Sequence, residues 1–288
     1  MNIALGWLGL TAISVVFRAI YGVMTKVLSN KSSVSAYTQS VLLLVAGGVI
    51  SLLVSPLLGG ISTNISSLNL LAVSLVVIPS AIGNFLYFIA IKDLTNGTAQ
   101  IAFSSILIFA TSLSVVFLGL KLSPMNLLGV ILLMIAILSV VNGKVELDRR
   151  GVTIMVASAL MFAVFQLASA HVSKEVNAAT YLMIGYFGPA LVLFALKPRK
   201  VIQEIRSSDL KRTFTIPLLT AIPSVGNFLF AYYAYRIAPE PAKVAMLLSA
   251  QVVVTVLLSY FFLNEKGHVW RKVGAAVLVV IAAVLIKL

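Results

Sequence analysis

The sequence predicts an all-α integral membrane protein of ten transmembrane helices, arranged as two inverted five-helix repeats. Three observations carry this. Of 288 residues, 60% are hydrophobic and only 10% are charged. The uncharged stretches recur at lengths near the ~20 residues that cross a hydrocarbon core of roughly 30 Å. Motifs of the first half return in the second at an offset of about 144 residues.

Taken in order, the first segment (residues 2–28) runs apolar from Ile3 to Val23 except for Arg18 and a stripe of hydroxyls. It lacks a basic leader and is too long for a cleavable signal, so it reads as a retained helix. Ser32–Ile91 contains no Asp, Glu, Lys or Arg and is too long for one span. It divides at "PLLGGISTNISSLN", a Pro/Gly/Ser/Asn turn cluster, into segments two and three. Leu94–Leu120 and Leu122–Gly143 give segments four and five, each free of charge. Gly151–Ser173, Val176–Leu196, Thr213–Tyr235, Val244–Asn264 and Val269–Leu288 give segments six to ten. No connection is long enough for a soluble domain, so function belongs among the helices.

The repeat is plainest where "IPSAIGNFLYF" (residues 78–88) returns as "IPSVGNFLF" (residues 222–230). "GWLGLTAISVVFRAIY" matches "GVTIMVASALMFAVFQ", with Phe17 over Phe162, and Gly129 falls over Gly274. The units are residues 1–145 and 146–288. Each has an odd number of helices, so the second must run through the membrane upside down. Inverted repeats are the architecture of secondary transporters, whose substrate sites lie near the midplane beside interrupted helices. Pro79 cannot donate to the carbonyl of Leu75, nor Pro223 to that of Leu219, which predicts bends in segments three and eight. Gly83 and Gly226 would let another backbone approach closely. Asn84 and Asn227 would present amides to the interior.

These features, with "FFLNEKGHVWRKVGAAVLVVIAAVLI" at the end, resemble the drug/metabolite transporter superfamily, EamA-type branch. In that family the ninth helix typically closes with an apolar run and Gly-Glu, and a glycine opens the last helix. Leu263-Asn264-Glu265 and Gly274 stand there in this chain, with Asn for the usual Gly. The corresponding glutamate position of the first half reads Leu120, so the motif occurs once. The resemblance implies a ten-helix carrier but does not specify the cargo.

Arg18 is the costliest residue for a bilayer, about 2.5–3.5 kcal/mol on insertion scales. With Thr11, Ser14, Tyr21 and Thr25 it forms a polar stripe at spacings of three and four, one face of a helix that must look inward. Snorkelling to headgroups is the competing reading. A fixed guanidinium in a polar cavity suits a carboxylate or phosphate. Further candidates for the cavity wall are Tyr87, Gln100 with Ser104 and Thr111, Gln251 with Lys243 and Thr255, and Gln166, which aligns with Tyr21. Trp7 and Trp270 read as interfacial anchors.

The eight acids all fall at predicted helix ends or in connections, so no midplane carboxylate is expected for proton-coupled export of cations. An organic cation held by aromatic faces remains the alternative cargo. Without cysteine, metal-pair or nucleophile–base combinations on any segment, an intramembrane enzyme has no residues to run on, and no cofactor or metal is implied. No repeated filter or charged ring points to a channel. The net charge of +13 reflects basic connections between helices, so the expected partners are a small-molecule substrate and membrane lipid, not nucleic acid. Lys and Arg favour the odd-numbered connections, placing those in the cytoplasm and both termini outside a cell (inner or plasma) membrane, with the chain acting as a monomer.

Overall fold

A computed structural model describes residues 6–62, 70–119, 121, 123–141, 149–238, 244 and 247–287. Leu120, Glu240 and Lys243 lie outside the described residues. The described chain is helical throughout: α1 (Trp7–Lys31), α2 (Ala36–Val54), α3 (Leu70–Asp93), α4 (Asn96–Phe103), α5 (Ile106–Leu118) and α6 (Pro124–Val141) come first. Then follow α7 (Arg149–Glu175), α8 (Ala178–Leu196), α9 (Pro198–Arg206), α10 (Leu210–Ile237), α11 (Gln251–Phe262) and α12 (Val269–Lys287). Among the described residues, 8 helices are long and apolar enough to cross a membrane. Pro124–Ser139 and Leu247–Phe262 are shorter apolar helices, in the places of segments five and nine. Large apolar side chains such as Leu53, Phe117, Phe261 and Phe262 are exposed on the outside, where only lipid could tolerate them together. Trp270 is exposed as well.

Packing comes in matched sets. α1 lies against α10 as α7 lies against α3, α1 meets α11 as α7 meets α5, and α2 pairs with α8 as α6 pairs with α12. Gly129 meets the backbone of Ala282 and Ile286 between α6 and α12, whereas Gly83 and Gly226 face aromatic rings instead of the backbones expected from the sequence. A Cβ on Gly83 would stand 3.0 Å from the Phe162 ring, and one on Gly226 would stand 2.8 Å from the Phe17 ring.

The helices that are interrupted are not the proline-containing α3 and α10. α3 and α10 run unbroken through Pro79 and Pro223, both buried. Segment four is the one that breaks, at Ser104–Ser105, where the backbone tightens: Ser105 N–H donates to Ala102 O (3.1 Å) and Leu107 N–H to Ser104 O (3.0 Å). Segment nine breaks at the matching place, where Ala250 N–H donates to Leu247 O (3.0 Å) ahead of α11. Paired small residues, "SS" and "SA", mark both sites. In a proline-containing helix the ring removes one hydrogen bond without ending the helix; a tightened turn resets the register of all that follow.

Two lysines at the edges of segments one and ten are buried inside helices. Lys26 Nζ donates to Ile91 O (2.6 Å) and Leu94 O (2.7 Å), capping the C-terminal end of α3, where the helix dipole favours a cation. Lys272 sits in the first turn of α12, 3% exposed.

α9 is an extra helix that the ten-segment reading does not contain. It lies across the face of the odd-numbered connections, with Val201 and Ile205 packed into the cluster of Tyr37 and Leu193. Its Glu204 accepts from Ser35 N–H (2.9 Å) and Ser35 Oγ (2.8 Å) at the start of α2. Burial pushes this carboxyl up, but the hydrogen bonds from the start of α2 and the Lys200 ammonium outweigh it and hold the value below the usual 4.5. A lowered carboxyl contributes stability above its unfolded value and loses it as the pH falls through the folded one. The Tm of the protein should therefore drop below about pH 4.5 more steeply than that of Glu204→Gln, as thermal melts across that range would show.

Candidate functional site

Six helices enclose a central cavity of about 30 Å³. From α1 come Arg18 and Tyr21, one turn apart; α2 adds Leu43 and Leu44. α3 supplies Ser80 and Asn84, and α10 supplies Ser224 and Phe228, each pair four residues apart and hence on one face. Phe162 of α7 and Gly185 and Tyr186 of α8 complete the wall. At about 10–15 Å³ per water, the space admits about two waters. A void of about 10 Å³ between Phe165, Tyr181 and Leu182 adjoins it across Gly185, Tyr186 and Phe228.

The whole polar stripe of α1 turns inward. Thr11, Ser14, Tyr21 and Thr25 are buried, and the threonines bond carbonyls of their own helix. Arg18 points into the cavity from between two rings, its guanidinium carbon 5.2 Å from the Tyr21 centroid and 5.6 Å from that of Phe103. None of the ion pairs among the described residues includes Arg18. Among the described residues its charge is therefore met by ring faces, worth about 0.5–2 kcal/mol.

Behind this layer, Gln100 Nε2 donates to the Tyr87 hydroxyl (2.6 Å), and Tyr87 meets Phe103 edge to face. Tyr87 and Gln100 thus support the Arg18 platform and do not themselves line the cavity. The Tyr186 hydroxyl is fixed by Ser224 Oγ at 2.7 Å. Asn84 Nδ2 donates to Ser80 O (2.9 Å) within its own helix, which leaves its carbonyl oxygen as the group to offer inward.

Three expected wall residues lie elsewhere. Ser14 Oγ donates to Asn227 O (3.0 Å) while Ser158 Oγ donates to Gly83 O (2.8 Å). These equivalent bonds set the structural register of the repeat, pairing Arg18 with Phe162 and Tyr21 with Phe165. Aligning Phe17 with Phe162 is one residue off. That slip rotates Gln166 by about 100° from its expected place, and it is exposed on the outside. Asn227 is displaced for a related reason. The second motif has one residue fewer between Ser and Asn, so Phe228, not Asn227, stands where Asn84 does. Asn227 instead receives the Ser14 hydroxyl (3.0 Å to Oδ1) between α1 and α10. Gln251 opens α11, half-buried and away from the cavity.

Of the wall, Leu43, Leu44, Gly185 and Tyr186 were not legible in the sequence, because α2 and α8 read as uniformly apolar. The one available signal was the Gly47-Gly48 pair, which seats the α8 aromatics.

A family model described as the EamA-like transporter family matches residues 5–142 and 149–288. The chain belongs to the EamA-like transporter family. It is a multi-pass membrane transporter of the drug/metabolite type, from a family of transporters and not of enzymes. No curated protein matches it in sequence. A solved structure, titled only as the crystal structure of a protein, covers 96% of this transporter and 97% of its own chain, with a TM-score of 0.68 and 15% sequence identity. That likeness establishes the fold alone. Within the family motif, Asn264 takes a left-handed backbone (φ 57). Asn is the residue besides Gly that adopts this conformation readily, so it fills the glycine position without reshaping the turn.

Proposed function

We propose that this EamA-family protein is a secondary transporter that moves a small carboxylated metabolite, polar or amphipathic and of the size of an amino acid, across the cell membrane by alternating access. The single observation that carries this reading is Arg18: a guanidinium inside the cavity, held by two rings and paired with no carboxylate among the described residues. Its planar fork matches a carboxylate, and a substrate anion would supply the missing charge. Ser80, Ser224, Tyr186 and the Asn84 carbonyl provide hydrogen bonds around it, and Phe162 and Phe228 an apolar wall.

The aromatic lining favours a second reading, an organic cation on ring faces. Arg18 in the same cavity opposes it by like charge. In this proposal the ten-helix count includes the two shorter apolar helices, residues 1–145 and 146–288 are the inverted units, the odd-numbered connections face the cytoplasm, and the monomer is the working unit.

Counterflow into liposomes tests the cargo. Labelled amino acids and organic acids should exchange saturably, and quaternary amines should not. Amine counterflow in the absence of any carboxylate counterflow would replace the first reading with the second.

A further inference from the structure

At the face of the odd-numbered connections, a buried carboxylate from the second half holds a helix of the first. Glu265 Oε1 accepts from Asn96 N–H (2.7 Å) and Oε2 from Gly97 N–H (3.2 Å), the two leading amides of α4. Lys272 Nζ stands 3.9 Å from Oε2, and the two side chains are 4% and 10% exposed. Asn96 Nδ2 adds a bond to Ser259 Oγ (2.9 Å), while its Oδ1 is buried without a partner. The charge of Glu265 also acts on Lys26, which caps the adjoining end of α3.

α4 is one uninterrupted helix of 8 residues. One end is pinned by Glu265; the other ends at the Ser104–Ser105 break. Along it lie Gln100 and Phe103, the support of the Tyr87 ring and one of the two rings around Arg18. The two ends of α4 are thus a fastening and a break in the helix, with the Arg18 platform between them.

We infer that Glu265, with Lys272 as its counter-ion, is the latch of a gate on the face of the odd-numbered connections, and that releasing it lets α4 swing about Ser104–Ser105 and open the cavity to that side. The latch is one-sided. Repeat-equivalent positions in the sequence hold Leu120, Leu127 and Ala170 in place of Glu265, Lys272 and Lys26. Buried ion pairs are poor sources of net stability, because desolvation offsets their attraction, but they discriminate sharply between two arrangements. Glu265 is a positioning residue here: it touches no substrate and acts through α4. The inference rests on the transporter reading of the cavity.

The chain has no cysteine, so single-cysteine reporters are read against a blank background. Thr98 (4% exposed) lies in the first turn of α4, and Thr180 (3% exposed) reports the opposite face from the start of α8. Each is replaced by cysteine and labelled with a hydrophilic maleimide in nanodiscs, where both faces meet water and no substrate is needed. Glu265→Gln and Lys272→Met should each raise labelling of Thr98→Cys by about tenfold or more and leave Thr180→Cys unchanged or slower. A rate at position 98 within about twofold of the parent, in folded protein, overturns the latch; so does acceleration at both faces, which is general loosening. Should Glu265→Gln not be recovered as monodisperse protein, Lys272→Met, which keeps its apolar stem, decides alone. Failure of carboxylate counterflow would leave these labelling rates intact and would refute the cargo only.

Discussion

Replacing Arg18 with alanine is expected to lower transport of a carboxylated substrate by about a hundredfold, the 2–5 kcal/mol that removing one partner of a desolvated charge pair costs, while leaving the protein folded. The second half of that expectation is the informative one. Most buried charges are structural, and their removal strands a partner. Among the described residues Arg18 has no carboxylate to strand; it meets the Tyr21 and Phe103 rings. Removing a guanidinium from membrane depth recovers part of its insertion cost, about 2.5–3.5 kcal/mol, against the 0.5–2 kcal/mol of the cation–π contacts. The Tm of Arg18→Ala in detergent should therefore equal or exceed that of the parent. Arg18→Lys keeps the charge and loses the planar fork, so it should retain partial transport with a raised KM. The combination to look for is a variant that is stable and silent. Undiminished counterflow in Arg18→Ala would remove the anion from the mechanism, and a Tm that fell with activity would make Arg18 a packing residue.

Much of this arrangement was readable from spacing, and where reading failed the reason is geometric. The α1 stripe is a pattern of threes and fours, and such a pattern can face only one way, so its inward orientation followed from the membrane itself. Asn227 and Gln166 show the limit of the same reasoning. A helix turns by about 100° per residue, so a one-residue slip between repeats moves a side chain from cavity to helix interface or lipid. The apparent match of "IPSAIGN" to "IPSVGN" conceals a deletion of that size. Pro79 and Pro223 drew attention to α3 and α10, which are unbroken, because proline is the loudest helix breaker in a sequence. Ser104–Ser105 and Ser249–Ala250 are quieter signals, and the interruptions are there. Tyr186 left no trace in its own segment, since an aromatic in an apolar segment looks the same facing lipid or cavity. Only tertiary packing decides between them.

That packing turns on Gly47, and Gly47→Ala is expected to destabilise the protein although alanine is the better helix former. A Cβ at this position would stand 2.3 Å from Cδ1 and 2.5 Å from Cε1 of Tyr186. The ring has little freedom to retreat, because its hydroxyl is bonded to Ser224 Oγ at 2.7 Å and its edge packs on Phe228 at 5.8 Å between centroids. Either α2 and α8 separate or Tyr186 leaves the cavity wall, and overpacking of this kind costs about 1–3 kcal/mol or more. Helix propensity returns up to about 1 kcal/mol. The overlap wins, for a net loss of about 1–2 kcal/mol, or roughly 2–4 °C in Tm, with transport impaired as Tyr186 shifts. Gly274→Ala is the matched control. It also lies inside a helix, but a Cβ there meets nothing within 4 Å, so propensity acts unopposed and Tm should hold or rise. If Gly47→Ala melted as high as Gly274→Ala, the α2–α8 contact would be loose, and the position of Tyr186 in the cavity wall would lose its physical basis.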